Sequence, residues 1–273
     1  MKKVWRILGK ILTIGFTLSC ACLFIVVLTS AVQKQQELTC QGVKVKIDYE
    51  SGLAFINEAE VTERLNFLSG ESIIGRPLAQ IDFHTLEKEI EKNPYVSNAE
   101  IFVNGQQTIV VEIVQKRPIL RVINNDAVSY YISEKNDRMP VNDNFAVRVP
   151  VALGYVATHT NVARDSMVQN TLYNLTGFIE KDVFLRALID QVYVNENSEF
   201  DLIPKTGNHV IRFGNATEGM ADKFKRLKIF YHDGLTKTGW YKYSSINLKF
   251  DGQVVCEKRD SAQASLPRDN NNQ

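Results

Sequence analysis

The chain lacks the residue patterns on which most enzymes depend. Its four histidines, His84, His159, His209 and His232, are scattered. None falls in H-E-x-x-H or beside a cysteine or carboxylate at metal-ligand spacing. No G-x-S-x-G elbow, Walker A loop or G-x-G-x-x-G run occurs. Glu87, Glu89 and Glu91 alternate with lysines along a helical stretch and read as a solvated face rather than an acid–base pair. No catalytic residue, metal, cofactor or small-molecule substrate is therefore expected.

Cysteine is also sparse. Cys20 and Cys22 stand inside an apolar run, where a thiol packs as a small hydrophobe. Cys40 and Cys256 lie far apart, and bridging them would require the two ends of the remaining chain to meet. Charge of one sign is missing too. A formal net charge of +1 argues against a nucleic-acid footprint, which needs a basic face. An apolar fraction of 44% excludes a wholly disordered chain.

What is present begins with residues 11–32, which carry no charged side chain. At the helical rise such a run spans roughly 30 Å, the thickness of a bilayer's hydrocarbon core. Lys2, Lys3, Arg6 and Lys10 precede it, and only Lys34 and then Glu37 follow. The positive-inside bias then keeps residues 1–10 in the cytoplasm and exports the rest. A cleaved signal peptide has a shorter apolar core, although Thr29-Ser30-Ala31 offers a poor cleavage site. A lipoprotein signal at Cys20 or Cys22 is opposed by the apolar residues that continue past both.

Residues 33–43 are polar and read as a stalk. Beyond them, alternation at Val45, Ile47 and Tyr49 predicts a half-buried strand. Asn57 offers a helix N-cap with Glu60 three residues on, followed by Val61, Leu65 and Leu68 at helical spacing and Gly70 as a stop. A second helix starts near Asp82, lines Phe83, Leu86 and Ile90 on one face, and ends at Asn93-Pro94. Two strands follow, joined by Asn104-Gly105, a pair suited to the positive φ angles of tight hairpins. This predicts a strand-helix-helix-strand-strand domain over residues 44–119.

Residues 120–258 read as a second, strand-rich domain with helices laid against it, giving an α+β chain. Strands are predicted at 120–123, 128–132, 147–153, 191–194, 200–203 and 209–213, with helices at 165–180, 182–190 and 217–231. The last helix offers Met220, Phe224, Leu227 and Ile229 for burial and Lys223, Lys225, Arg226 and Lys228 on its other face. A closing hairpin is signalled by alternation on both sides of Asp251-Gly252. A two-residue turn there would set Phe250 opposite Gln253 and Leu248 opposite Val255. Ile246, Leu248, Phe250 and Val255 would share the core face, leaving Val254 and Cys256 on the other. A last strand at a sheet edge exposes unpaired N–H and C=O groups to which a partner can add a strand. Residues 259–273 are polar and read as disordered.

The chain resembles the bacterial cell-division family FtsQ/DivIB. In residues 44–119 the likeness to a POTRA module rests on Phe55-Ile-Asn-Glu, Asn93-Pro-Tyr-Val-Ser-Asn-Ala-Glu and Val111-Glu-Ile-Val-Gln-Lys-Arg-Pro. In residues 120–258 it rests on Leu202-Ile-Pro-Lys, Phe213-Gly, Lys223 to Phe230 and Ser245 to Cys256. The resemblance implies a non-enzymatic, single-pass scaffold of the divisome at the inner membrane and septum. It implies two membrane-protein partners, FtsB and FtsL, captured by strand addition to the last strand with help from a basic helix. Carried over, the partner-binding positions are Phe250, Gln253, Val254, Val255 and Cys256, with Lys225 and Arg226 facing acidic partner residues. Some members place a tryptophan near the end of that strand, where this chain has Cys256-Glu257. An alternative is a POTRA-bearing export or envelope-assembly protein, although residues 120–273 lack the repeated amphipathic strands of a membrane barrel.

Overall fold

Apolar residues at alternate positions of Gly42–Ile47, Val96–Val103 and Thr108–Gln115 build strands β1, β2 and β3 of a three-stranded sheet, ordered β1-β3-β2. The computed structural model describes residues 38–49, 52–70, 72–142, 145–156 and 161–259, together with 15, 19 and 22–26. The rest of the apolar run at 11–32, the basic segment 1–10, residues 33–37 of the expected stalk and residues 260–273 of the expected tail lie outside the described residues. The rest of the stalk expected over 33–43 belongs instead to the unit built on this sheet, with Cys40 1% exposed in its core and β1 starting at Gly42. Among those described, no helix is long and apolar enough to cross a membrane. The chain divides into two compact units between Gln115 and Lys116.

In the first unit β1 runs parallel to β3, and β2 runs antiparallel to it. Helix α1 (Glu58–Ser69) is capped by Asn57, whose side chain accepts from the Glu60 N–H and donates back to the Glu60 carboxylate. Gly70, at φ +75, closes it in the left-handed conformation. Helix α2 (Phe83–Glu91) is capped by Asp82, whose carboxyl is held below the usual range chiefly by the Thr85 hydroxyl. Val61, Leu65, Leu86 and Ile90 of the helices pack on Val45, Ile101, Val111 and Ile113 of the sheet.

The link between β2 and β3 departs from the tight turn that Asn104-Gly105 suggests. Residues 104–107 form a wider loop in which the Asn104 side chain accepts from the N–H groups of Gln106 and Thr108, and the positive φ falls on Gln107. The asparagine acts through its side chain rather than through its backbone. At the far end of β3, Gln115 is 4% exposed and replaces missing backbone partners. Its Nε2 donates to the carbonyls of Asp48 and Leu53 at 3.2 and 3.0 Å, and its Oε1 accepts from the Phe55 N–H at 3.0 Å.

The second unit carries a nine-stranded sheet in the order β12-β11-β10-β9-β8-β7-β4-β5-β6. Its strands are β4 (Pro118–Asn124), β5 (Ser129–Ser133), β6 (Arg138–Pro140), β7 (Val151–Gly154), β8 (Ile189–Val194), β9 (Phe200–Pro204), β10 (Val210–Gly214), β11 (Tyr243–Asn247) and β12 (Val255–Lys258). Short β6, with one buried residue, carried no alternation signal. Helices α3 (Val162–Glu180) and α4 (Val183–Leu188) connect the parallel pair β7 and β8, and α5 (Met220–Ile229) connects the parallel pair β10 and β11. The core joins Leu172, Leu175, Phe224, Leu227 and Tyr231 to Val122, Val192, Leu202, Ile211, Phe213 and Ile246.

Helix α5 corrects the sequence reading in two places. Ile229, expected in the core, is 52% exposed, whereas Lys223, expected on the wet face, is 9% exposed. The Lys223 ammonium donates to the carbonyls of Phe213 and Asn215 and sits 5.1 Å from the Phe213 ring centroid. Two carbonyls and a ring face replace its water shell there. Beyond Ile229 the helix widens into a π turn over Phe230–Leu235, which keeps Tyr231 and Leu235 buried.

Candidate functional site

Strand β12 ends the nine-stranded sheet, so one flank pairs with β11 and the other has no strand neighbour among the described residues. The register sets Asn247 opposite Val255, Ile246 opposite Cys256 and Ser245 opposite Glu257. The Leu248 N–H donates to the Arg212 carbonyl of β10 at 3.0 Å. Even-numbered positions of β11 therefore turn toward β10, and Ser245 and Asn247 turn toward β12. On β12 the backbone groups of Val255 and Glu257 point inward, which leaves those of Cys256 aimed at the open flank.

This register is one residue away from that of a two-residue hairpin, and a one-residue slip inverts every face. Phe250 and Val255, expected in the core, are 52% and 41% exposed. Val254 and Cys256, expected outside, pack against the core. Residues 248–254 form a broad connection instead of a tight turn. The Gln253 N–H still reaches the Phe250 carbonyl at 3.3 Å, but of the two central residues only Gly252 has a positive φ, at +67. That sign pattern fits a type II turn rather than the type I′ turn whose twist matches paired strands.

Two contacts hold this register: the Leu248 N–H is given to the Arg212 carbonyl of β10, which bars the Leu248–Val255 pairing of a two-residue hairpin, and α5 holds the connection. Arg226 has a side chain only 11% exposed, and its Nε donates to Asp222 Oδ2 at 2.8 Å. One terminal nitrogen donates to the carbonyls of Phe250, at 2.7 Å, and Gln253. The other donates to the Leu248 carbonyl at 3.3 Å. The planar guanidinium thus gathers three carbonyls of the connection, a task that a point-charge ammonium performs poorly.

The structure distributes the sequence-predicted site residues as follows. Phe250, Gln253 and Arg226 meet through the guanidinium and two carbonyls. Val255 and Cys256 lie on β12 itself, with Val254 just before it. Lys225 is exposed on α5, whereas Arg226 turns inward. The half-buried Cys256 thiol is pushed above its usual pKa by burial. Glu257 lies on the open face, where its carboxylate accepts from the Ser245 hydroxyl at 2.7 Å.

Sequence reasoning missed two further neighbours. Phe230, on the π turn, packs near Tyr243 with ring centroids 5.9 Å apart. Arg259 closes β12: its N–H donates to the Lys242 carbonyl at 2.9 Å, and its guanidinium reaches the carbonyls of Asn208 and Tyr243. The spacing of Phe230 from Phe224 and Leu227 held no sign of a widened turn. Among the described residues, no group of three His, Cys, Asp or Glu side chains is placed to hold a metal ion.

Residues 117–257 match the family described as FtsQ/DivIB, C-terminal related, and residues 38–114 match the POTRA-like domain. No curated protein matches the chain. The first match corresponds to the nine-stranded unit that carries β12 and α5, the second to the β-α-α-β-β unit. Because the FtsQ/DivIB match alone spans just over half of the 273 residues, the chain belongs to the FtsQ/DivIB family.

Proposed function

We propose that this protein is a membrane-anchored, non-enzymatic scaffold of the bacterial division machinery whose strand β12 captures FtsB/FtsL-type partners by strand addition. The observation that carries the reading is the open flank of β12, where Cys256 presents a backbone N–H and C=O with no ladder partner among the described residues. Such groups pair readily with an added strand, and the backbone supplies the affinity whatever the side chains. The exposed Lys225 faces an acidic segment of the partner. The FtsQ/DivIB and POTRA-like matches support a divisome scaffold role. The uncharged run at 11–32, with its basic leading flank, supports a single-pass anchor in the inner membrane, its amino terminus cytoplasmic and its two units outside.

The test places a photo-crosslinking residue at Val255 in the full chain expressed in dividing cells. A crosslink to an FtsB-type chain, together with septal fluorescence of the tagged protein, is the expected result. Septal fluorescence with no crosslink at Val255 or Glu257 would overturn strand addition at β12. An even peripheral signal would overturn the division role.

A further inference from the structure

Two signals in this chain compete over the last hairpin. Asp251-Gly252 between alternating segments favours a two-residue turn with Leu248 opposite Val255. The structure adopts the neighbouring register, with Asn247 opposite Val255. The two registers present opposite faces of β12. In the first, Phe250 and Val255 turn inward and Cys256 meets solvent. In the second, Cys256 packs against the core and Val255 and Glu257 form the open face.

Two contacts oppose the two-residue hairpin: the Leu248 N–H, given to the Arg212 carbonyl of β10, and Arg226 at the turn itself. In a two-residue hairpin the Gln253 carbonyl would accept from the Phe250 N–H. Here the guanidinium takes that carbonyl, and it takes those of Phe250 and Leu248 as well. Asp222 aims the group from one turn earlier on the same helix. With its side chain 11% exposed and its donors committed to the chain's own carbonyls, Arg226 has little to offer a partner carboxylate.

We infer that Arg226 is a register lock for the docking strand, a positioning residue that fixes which face of β12 a partner meets, rather than a charge contact to that partner. This rests on the strand-addition reading for its consequence, but the lock is testable without a partner. The family resemblance gives Lys225 and Arg226 to acidic partner residues, whereas the geometry commits Arg226 to its own chain and leaves Lys225 the exposed cation of the two.

The test uses the full-length chain in detergent, with thiol labelling located by peptide mass spectrometry. Arg226→Met is expected to raise the labelling rate of Cys256 by about tenfold or more, because a slipped register turns that thiol to solvent. Buried Cys40, 1% exposed in the first unit, should label as slowly as before. Near-UV circular dichroism and the thermal midpoint show whether the second unit remains folded. Arg226→Lys keeps the charge but loses the fork, and it is expected to follow Arg226→Met in labelling. A merely structural role would lower the midpoint without singling out Cys256. Captured FtsB-type chain should fall by about tenfold or more in both variants, since the wrong face meets it. Lys225→Met should weaken capture and its salt dependence while leaving Cys256 labelling unchanged.

Wild-type labelling of Cys256 in a folded Arg226→Met protein would overturn the lock. Full capture by Arg226→Lys alongside loss in Arg226→Met would make Arg226 a charge contact and also overturn it. If the wild-type chain captures no partner while the labelling change appears, the strand-addition reading falls and the lock stands.

Discussion

Replacing Cys256 by proline tests whether the open flank of β12 is the docking surface. Proline removes one N–H and fixes φ near −65°. At Cys256 that N–H points away from β11, because Val255 and Glu257 pair inward opposite Asn247 and Ser245. The substitution therefore spares the existing ladder, and prolines are tolerated on edge strands for this reason. A partner strand would lose its matching donor. Its buried carbonyl, left unsatisfied, costs about 1–3 kcal/mol, and the ring obstructs close approach as well. A loss of about 2–3 kcal/mol corresponds to roughly a thirty- to hundredfold rise in Kd. Binding of the FtsB-type chain to the purified variants, by calorimetry or biolayer interferometry, reads the effect. Cys256→Ala separates the thiol from the backbone and should bind within about threefold of wild type. Val255→Pro provides the opposite control. It removes an inward N–H, so β12 should detach and the thermal midpoint should fall. Unchanged Kd for a folded Cys256→Pro protein would refute the assignment of the outward flank.

Three further outcomes follow from side chains that replace backbone partners or water. Gln115→Ala should destabilise the first unit by about 2–3 kcal/mol, since three backbone groups around Asp48, Leu53 and Phe55 lose their partner; urea unfolding and faster amide exchange at Phe55 would show it. Phe224→Ala should cost the second unit about 3–5 kcal/mol, because its ring stacks on Phe178 and tilts against Phe213 at 5.1 and 4.8 Å; a thermal midpoint within a degree of wild type would contradict this. His209 is 2% exposed, hydrogen-bonded to the Tyr231 hydroxyl at 2.5 Å, and held below its usual pKa by burial. The unfolded chain then binds the proton more tightly than the native one, so stability is complete above the unfolded pKa of about 6.5 and declines as pH falls through it. Replacing His209 by Gln should flatten that decline in a series of melts between pH 8 and pH 5.

The elements most legible in the sequence are those held by local signals. Asn57 with Glu60 and Asp82 with Thr85 mark where α1 and α2 begin, because a short side chain satisfies N–H groups that the helix leaves open. Period-two alternation at Val45 and Ile47, and at Ile109, Val111 and Ile113, marks strands with one face in the core. The reversals at Asn104-Gly105 and Asp251-Gly252 were legible as reversals, but not as turn types. In one an asparagine side chain captured neighbouring N–H groups. In the other a distant guanidinium captured three carbonyls.

By itself the sequence determined most of the helices and strands in their order, though not β6 or the π turn, and the presence of a last strand, because capping, alternation and turn residues act over a few neighbours. The family resemblance, rather than any local signal, grouped Arg226 with the last strand. The tertiary structure alone decided which way Arg226 points and which face of β12 is wet. Those choices depend on contacts between residues more than twenty positions apart, where helix α5 crosses over to β11. A one-residue slip inverts the faces of β12, but Val254, Val255 and Cys256 offer an apolar side chain to the core in either register, so contacts from outside the hairpin choose between them.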